Sequence, residues 1–364
     1  MATIESLNLS FNPFQNLTPH QGMRELIWAG IDDIKEKIDR IYTETIRANT
    51  KQIVLNWGPY GGGKTYSAYY FIQQKKEEDN LKQIYIKSPK DGASATDQLF
   101  RAIVDELTFE GIQNQVSNIV KTIGEEDFVQ FLSPITSKEY AKAIALLSSD
   151  NEETIQLLNR FLYAGLTKAE LKKVGLAKEI KSETDKIKFL TGLLTCYTWN
   201  DTVVNGRVVL WIDEMEDLIY YTPKTYKTFS QILRELIDNI RDRLLLFMNF
   251  TLSEGEENTI ELILGGAVWD RITRKIRFRQ FEMHDAEKYC AKLLETAKIN
   301  KQSNAPFEPS TITEILKLIN PSVLIPREIN KYFNSLIVYC LDNDINKLNQ
   351  EHINKWIKDY SHDN

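Results

Sequence analysis

Cysteine and histidine are scarce, with three cysteines (Cys196, Cys290, Cys340) and four histidines (His20, His284, His352, His362) in 364 residues. The cysteines are far apart, odd in number and set in apolar stretches. Buried thiols in a reducing compartment are therefore expected, rather than a disulfide framework or a CxxC-type zinc site. The histidines form no cluster, which gives metal or histidine-based catalysis little support. Ten prolines and sixteen glycines exclude collagen-like and Pro-rich architecture. The longest uncharged apolar runs, such as residues 208–212 and 244–248, fall far short of the roughly 20 residues that cross a bilayer. The start, MATIESLNLSFNPF, has no basic segment followed by an apolar core, so no secretory signal is expected. These absences predict a cytoplasmic protein without a membrane partner.

What is present is an ordinary folding composition, 42% hydrophobic and 26% charged, which excludes a largely disordered chain. The length fits two or three domains at roughly 100–200 residues each. The net charge of −6 means that any nucleic-acid contact must come from a local basic face.

Strand and helix signals alternate. Residues 24–50 carry helical periodicity in Leu26, Ile27, Ile31, Ile34, Ile38, Ile41 and Ile46. A strand follows at 52–57, then a glycine loop, a helix to about 76 and a strand at 83–87. Residues 95–200 read as helical with charged faces. Strands return at 207–213, 243–251 and 274–281, separated by helices near 224–240 and 256–265, and 283–364 reads as several short helices. Such alternation predicts a parallel sheet with helices on both faces. Four regions are expected: the first half of the core at 1–94, a helical insertion at 95–203, the second half at 204–282, and a helical lid at 283–364. The insertion is too long for an ordinary crossover.

The strongest chemical signal is Gly58-Pro59-Tyr60-Gly61-Gly62-Gly63-Lys64-Thr65, a GxxxxGK[ST] pattern between a strand and a helix, with Tyr66 next in line. Glycines let the backbone turn tightly and aim N–H groups at phosphate oxygens, and the helix start adds its positive dipole end. Lys64 is suited to the β- and γ-phosphates of ATP and the Thr65 hydroxyl to Mg²⁺. The second signal is Val208-Val-Leu-Trp-Ile-Asp213-Glu214, an apolar strand ending in carboxylates where open α/β sheets bind ligands. Asp213 is suited to hold Mg²⁺ and Glu214 to polarise an attacking water. With Glu216 and Asp217 they form an acidic cluster whose mutual repulsion favours a cation. On the next strand, Asn249 or Thr251 is placed to reach the γ-phosphate or that water.

Arg271 and Arg274 follow a helix end, where a cation suits either the helix dipole or a neighbouring subunit's γ-phosphate. Arg327 comes after Pro326 in a first helical turn, where the dipole disfavours a cation, so a bound anion would explain it. Residues 167–187 mix Lys168, Lys172, Lys173, Lys178, Lys181 and Lys186 with acids, which reads as a solvated face, the alternative being a weak phosphate-contacting surface with salt-dependent binding. The segment 128–135 is apolar enough to pack inside the insertion or against a partner.

In this order the pieces resemble the AAA+ ATPase superfamily over about 20–90 and 205–340, nearest its initiator and transposon-ATPase branch or bacterial defence ATPases of similar layout. Residues 58–65 resemble its Walker A and 208–214 its Walker B with catalytic glutamate. Asn249 resembles sensor 1, Arg271 the arginine finger and Arg327 sensor 2. Asn12-Pro-Phe14 resembles the segment that borders adenine. The resemblance implies a Mg²⁺-dependent ATPase that forms homo-oligomers and remodels, loads or activates an effector or adaptor protein, on DNA or in anti-phage defence. The alternative is a slow nucleotide-dependent switch or scaffold that regulates a separate effector. A small-molecule kinase is disfavoured, because a Walker B glutamate suits water rather than an acceptor hydroxyl. No winged-helix segment follows the lid region in the sequence, so any DNA contact is expected to be independent of base sequence.

Overall fold

The computed structural model describes all residues except 1, 16–25, 79, 200–205, 221–222, 253–256, 304, 347 and 364. Its sheet has strands β1 Gln52–Gly58, β2 Leu81–Lys87, β3 Arg207–Asp213, β4 Leu244–Thr251 and β5 Arg274–Arg277. Their spatial order is β2-β3-β4-β1-β5, and β2 with β3, β3 with β4 and β1 with β5 run parallel. The apolar strands 52–57 and 207–213 lie where the sequence predicts them. The last strand stops at Arg277 instead of 281.

Helix α1, Asp32–Ala48, precedes β1, and α2, Lys64–Gln74, follows it. The expected helix from 24 begins only at Asp32, and residues 24–25 lie outside the described part. Gly30 has φ +100°, which a right-handed helix does not accommodate. The backbone just before it is engaged by side chains of α2, with the Leu26 N–H donating to Gln73 and the Ile27 N–H to the Tyr66 hydroxyl.

Residues 95–199 are helical as expected: α3 Ala95–Leu107, α4 Phe109–Ile123, α5 Glu125–Leu132, α6 Lys138–Ala145, α7 Glu152–Tyr163, α8 Lys168–Lys173 and α9 Glu183–Tyr197. The boundary expected at 203 lies outside the described residues. Every break except the one at Gly124 carries a side-chain cap. Thr108, Ser137 and Asn151 accept from first-turn N–H groups, and Thr167 with Glu170 and Ser182 with Asp185 form capping boxes. The lysine-rich stretch is a paired surface: Lys173, Lys178, Lys181 and Lys186 meet Glu153, Asp185, Glu179 and Asp97. Phe128 and Leu132 are fully buried and Phe131 packs edge-on to Trp199, so the apolar segment is used inside the insertion.

Helix α10, Pro223–Asn239, lies between β3 and β4, and α11, Glu257–Trp269, precedes β5 with an interruption at Gly265. The tail holds α12 Met283–Ala297, α13 Pro309–Leu316, α14 Pro326–Asp342 and α15 Gln350–Asp363. Helix α13 is short as expected, at 8 residues, whereas α12, α14 and α15 are longer, α14 reaching 17 residues. No helix among the described residues is long and apolar enough to cross a membrane.

The chain divides into two compact units: Met1–Lys37 with Gly58–Gln73 and Phe278–Asn364, and Ile38–Trp57 with Gln74–Arg277. In the second, one face of the sheet presents Ile53, Leu55, Ile84, Ile86, Leu210, Ile212, Leu246 and Met248 to a core shared with α3, α9 and α10. The alternate residues make an aromatic and polar face. Trp211 stacks on Phe247 with ring centroids 3.7 Å apart, and its indole donates to Tyr42 of α1, which donates to Gln83.

Candidate active site

The first unit holds the glycine loop. Gly58 ends β1 at φ +154°, and a Cβ there would lie 2.1 Å from the carbonyl oxygen of Phe278, so only glycine fits. The backbone is left-handed again at Gly61 and Gly63, and Gly62 donates to the Pro59 carbonyl to close the turn. Helix α2 starts at Lys64, which sets its free N–H groups at the loop. Lys64 is buried and donates to the carbonyls of Gly58 (2.9 Å) and Pro59 (2.8 Å). A Cβ on Gly63 would have nothing within 4 Å, so the loop is open on that side. Thr65 is half-buried in the first turn of α2. The Tyr66 hydroxyl donates to the Ile27 carbonyl and accepts from its N–H, and burial pushes its pKa up to about 12.

Arg327 reaches the same loop. Pro326 opens α14 at a position that needs no N–H donor, which sets Arg327 in the first turn. Its guanidinium lies 4.1 Å from the ring centroid of the exposed Tyr60, a cation–π contact. A Cβ on Gly61 would lie 3.1 Å from the Arg327 Cβ, so the helix start and the loop touch. Asn12 and Phe14 dock elsewhere in this unit: Phe14 is fully buried and stacks on Phe333, and Asn12 donates to Asn334.

The second unit holds the carboxylates. Asp213 ends β3, only 2% exposed, and accepts from the Tyr85 hydroxyl (2.8 Å) and the Asn249 amide (3.0 Å). Asn249 is itself fully buried and accepts from the Asn56 amide at 3.0 Å. Glu214 takes φ +58° in the turn beyond the strand, and its carboxylate meets Lys87 Nζ at 2.6 Å. Glu216 accepts from the backbone N–H of Thr251, fixing the end of β4. Asn56, Tyr85 and Lys87 escaped sequence reasoning. Asn56 interrupts the apolar run of β1, whereas Tyr85 and Lys87 sit among the mixed residues of β2, and register alone says what each would meet.

Arg271 is engaged by its own fold. It forms a two-pronged ion pair with Asp238, donates to the Ala267 carbonyl, and holds the Asp238 carboxyl below its usual range. Arg274 lies 3.4 Å from Glu44.

No family model matches the sequence, and no curated protein does. Solved structures do. The ORC2 protein of Aeropyrum pernix, in ADPNP–ADP complexes, is 13% identical with a TM-score of 0.51, over 95% of this chain and 71% of that one. In its ADP form the values are 12%, 0.53, 94% and 71%. Drosophila ORC bound to DNA gives 11% identity and a TM-score of 0.52, over 95% of this chain and 64% of that one. The chain shares the fold of these ORC structures, the fold expected from the AAA+ resemblance. Within that fold the glycine loop and Arg327 share one unit, and Asp213, Glu214 and Asn249 the other. The first set supplies N–H and cationic groups of the kind that binds phosphate, and the second supplies carboxylate oxygens of the kind that binds hard cations. Among the described residues no three His, Cys, Asp or Glu side chains form a metal cluster.

Proposed function

We propose that the protein binds ATP with Mg²⁺ and hydrolyses it, as an oligomer that acts on a partner protein. The observation that carries this reading is the loop at residues 58–65, with Lys64 drawn into its carbonyls and Arg327 of α14 resting on it. Backbone N–H groups and Lys64 would hold the phosphates, and Arg327 would leave the Tyr60 ring for the γ-phosphate. Thr65 and Asp213 would supply oxygens to Mg²⁺, which when bound offsets the charge that develops on the phosphates. Glu214 would orient and deprotonate the attacking water, with Asn249 holding it in line. Arg271 would act on a neighbouring subunit only after giving up Asp238. Remodelling or loading of a partner, on DNA or in anti-phage defence, extends the same reading.

Calorimetric titration with ATP and Mg²⁺ tests it. Wild type should take up nucleotide and Lys64→Ala should lose it. Glu214→Gln should keep ATP but lose turnover by about a hundredfold or more, the usual contribution of a general base. Absence of uptake by folded wild-type protein would sink the reading.

The Lys87–Glu214 pair favours a second reading, a slow switch. A carboxylate engaged by an ammonium is not free to accept a hydrogen bond from an attacking water, so ATP would act by favouring one lid position over another. Negligible turnover together with an ATP-dependent change in mass or shape would favour the switch.

A further inference from the structure

Four side chains from four strands form one hydrogen-bonded row. Read in spatial order from β2, the Tyr85 hydroxyl donates to Asp213 on β3, the Asn249 amide on β4 donates to the other Asp213 oxygen, and Asn56 on β1 donates to the Asn249 oxygen. The direction of the row is forced. An ionised carboxylate only accepts, so Asn249 must turn its NH₂ to Asp213 and its oxygen away. That oxygen then needs a donor, and Asn56 supplies it.

The arrangement leaves a residue of cost. Asn56 is fully buried, and its own Oδ1 has no hydrogen-bond partner among the described residues. Packing alone gives no reason for an amide there, because the strand residues before it, Ile53, Val54 and Leu55, are apolar and equally buried. A buried acceptor left without a partner is retained where its group does something else.

We propose that Asn56 is a positioning residue: it fixes the orientation of the Asn249 amide and, through it, the carboxylate of Asp213. Asn56 touches no reacting atom itself. The catalytic part of this inference rests on the ATPase reading above, whereas the hydrogen-bond polarity does not.

Two experiments test it. The first uses Asn56→Asp and needs no nucleotide. Above the pKa of the introduced carboxyl it has no donor and confronts the Asn249 oxygen. Burial and the nearby Asp213 charge push that pKa up. Once protonated, the carboxyl is shaped like the amide and can donate again. The melting-temperature gap between wild type and Asn56→Asp should therefore shrink as pH falls from 8 to 5. A gap that stays constant over that range would overturn the proposal. The second compares turnover in Asn56→Ala, Asn249→Ala and the double variant. Asn56→Ala should lower kcat by about tenfold with little change in KM. The double variant should be no slower than Asn249→Ala, because Asn56 acts through Asn249. Losses that multiply would overturn it. Should wild type take up no ATP, the ATPase reading fails and the melting experiment still decides the role of Asn56.

Discussion

The two faces of the sheet in the second unit are made from alternate residues of the same strands, and they differ in what substitution they tolerate. One face carries aliphatic side chains: Leu210 between Ile84 and Leu246, or Ile212 beside Met248. Dispersion and burial hold it, and these forces have no direction. The other carries Tyr85, Trp211, Asp213, Phe247, Asn249 and Asn56. There the stacked Trp211–Phe247 pair gives way, towards the C-terminal strand ends, to the hydrogen-bonded row. Hydrogen bonds have both direction and sign, so a volume-conserving change that the first face would accept breaks the second. The fold rests on one face and the proposed chemistry on the other.

The largest expected effect breaks the aliphatic face. Leu210→Ala removes a fully packed side chain and should destabilise the protein by about 2–5 kcal/mol, the range for such cavities. Denaturant unfolding measures this. Turnover per folded molecule should stay close to wild type. A variant that melts normally yet loses activity would show that the two faces are not separable.

A smaller effect sharpens the polar face. Lys87 and Glu214 are both partly exposed, with side chains 53% and 34% accessible, so their pair should add well under about 1 kcal/mol to stability. Lys87→Met should leave the melting temperature nearly unchanged. Under the ATPase reading it should raise kcat, because Glu214 is released to act as a base. A fall in kcat would instead give Lys87 a direct part in catalysis, and steady-state assays with and without the partner would distinguish the two.

How much of this was legible in the sequence follows the same division. The aliphatic face was legible, since apolar strand runs and their turn signals require no knowledge of neighbours, and β1 and β3 begin where those runs begin. The glycine loop was legible because its chemistry is local: each residue works within eight positions of the others. Contacts between distant segments were not. Tyr85 meets Asp213 because β2 pairs with β3 in a register that places Lys87 opposite Asp213, and no spacing within either segment encodes that. Asn56 was read as part of a buried strand, and its bond to Asn249 depends on β1 entering the sheet beside β4. The late start of α1 was hidden for the same reason, because the side chains engaging Leu26 and Ile27 belong to residues 47 and 39 positions away. Arg271 was read from its place at a helix end, without the Asp238 carboxylate that faces it.

That last pair supplies the smallest effect, and a control for charge lying off both faces. The Arg271 hydrogen bonds lower the Asp238 pKa, so the carboxylate is more acidic in the folded than in the unfolded chain. A depressed carboxylate contributes stability that is present above its unfolded pKa, about 3.9, and lost as pH falls through the folded value. Solvent reaches both partners, with Asp238 44% and Arg271 32% exposed, so the contribution at neutral pH should be a fraction of about 1 kcal/mol. Asp238→Asn should thus melt slightly below wild type at pH 7, and the difference should vanish in acid. Turnover carries the sharper information. If Arg271 serves a neighbouring subunit, freeing it from Asp238 should raise activity most at low protein concentration, where assembly limits the rate. If its place is only structural, Asp238→Asn and Arg271→Ala should share the same small stability loss and neither should change kcat. Either outcome leaves the contrast between the two faces intact, because neither residue belongs to the row.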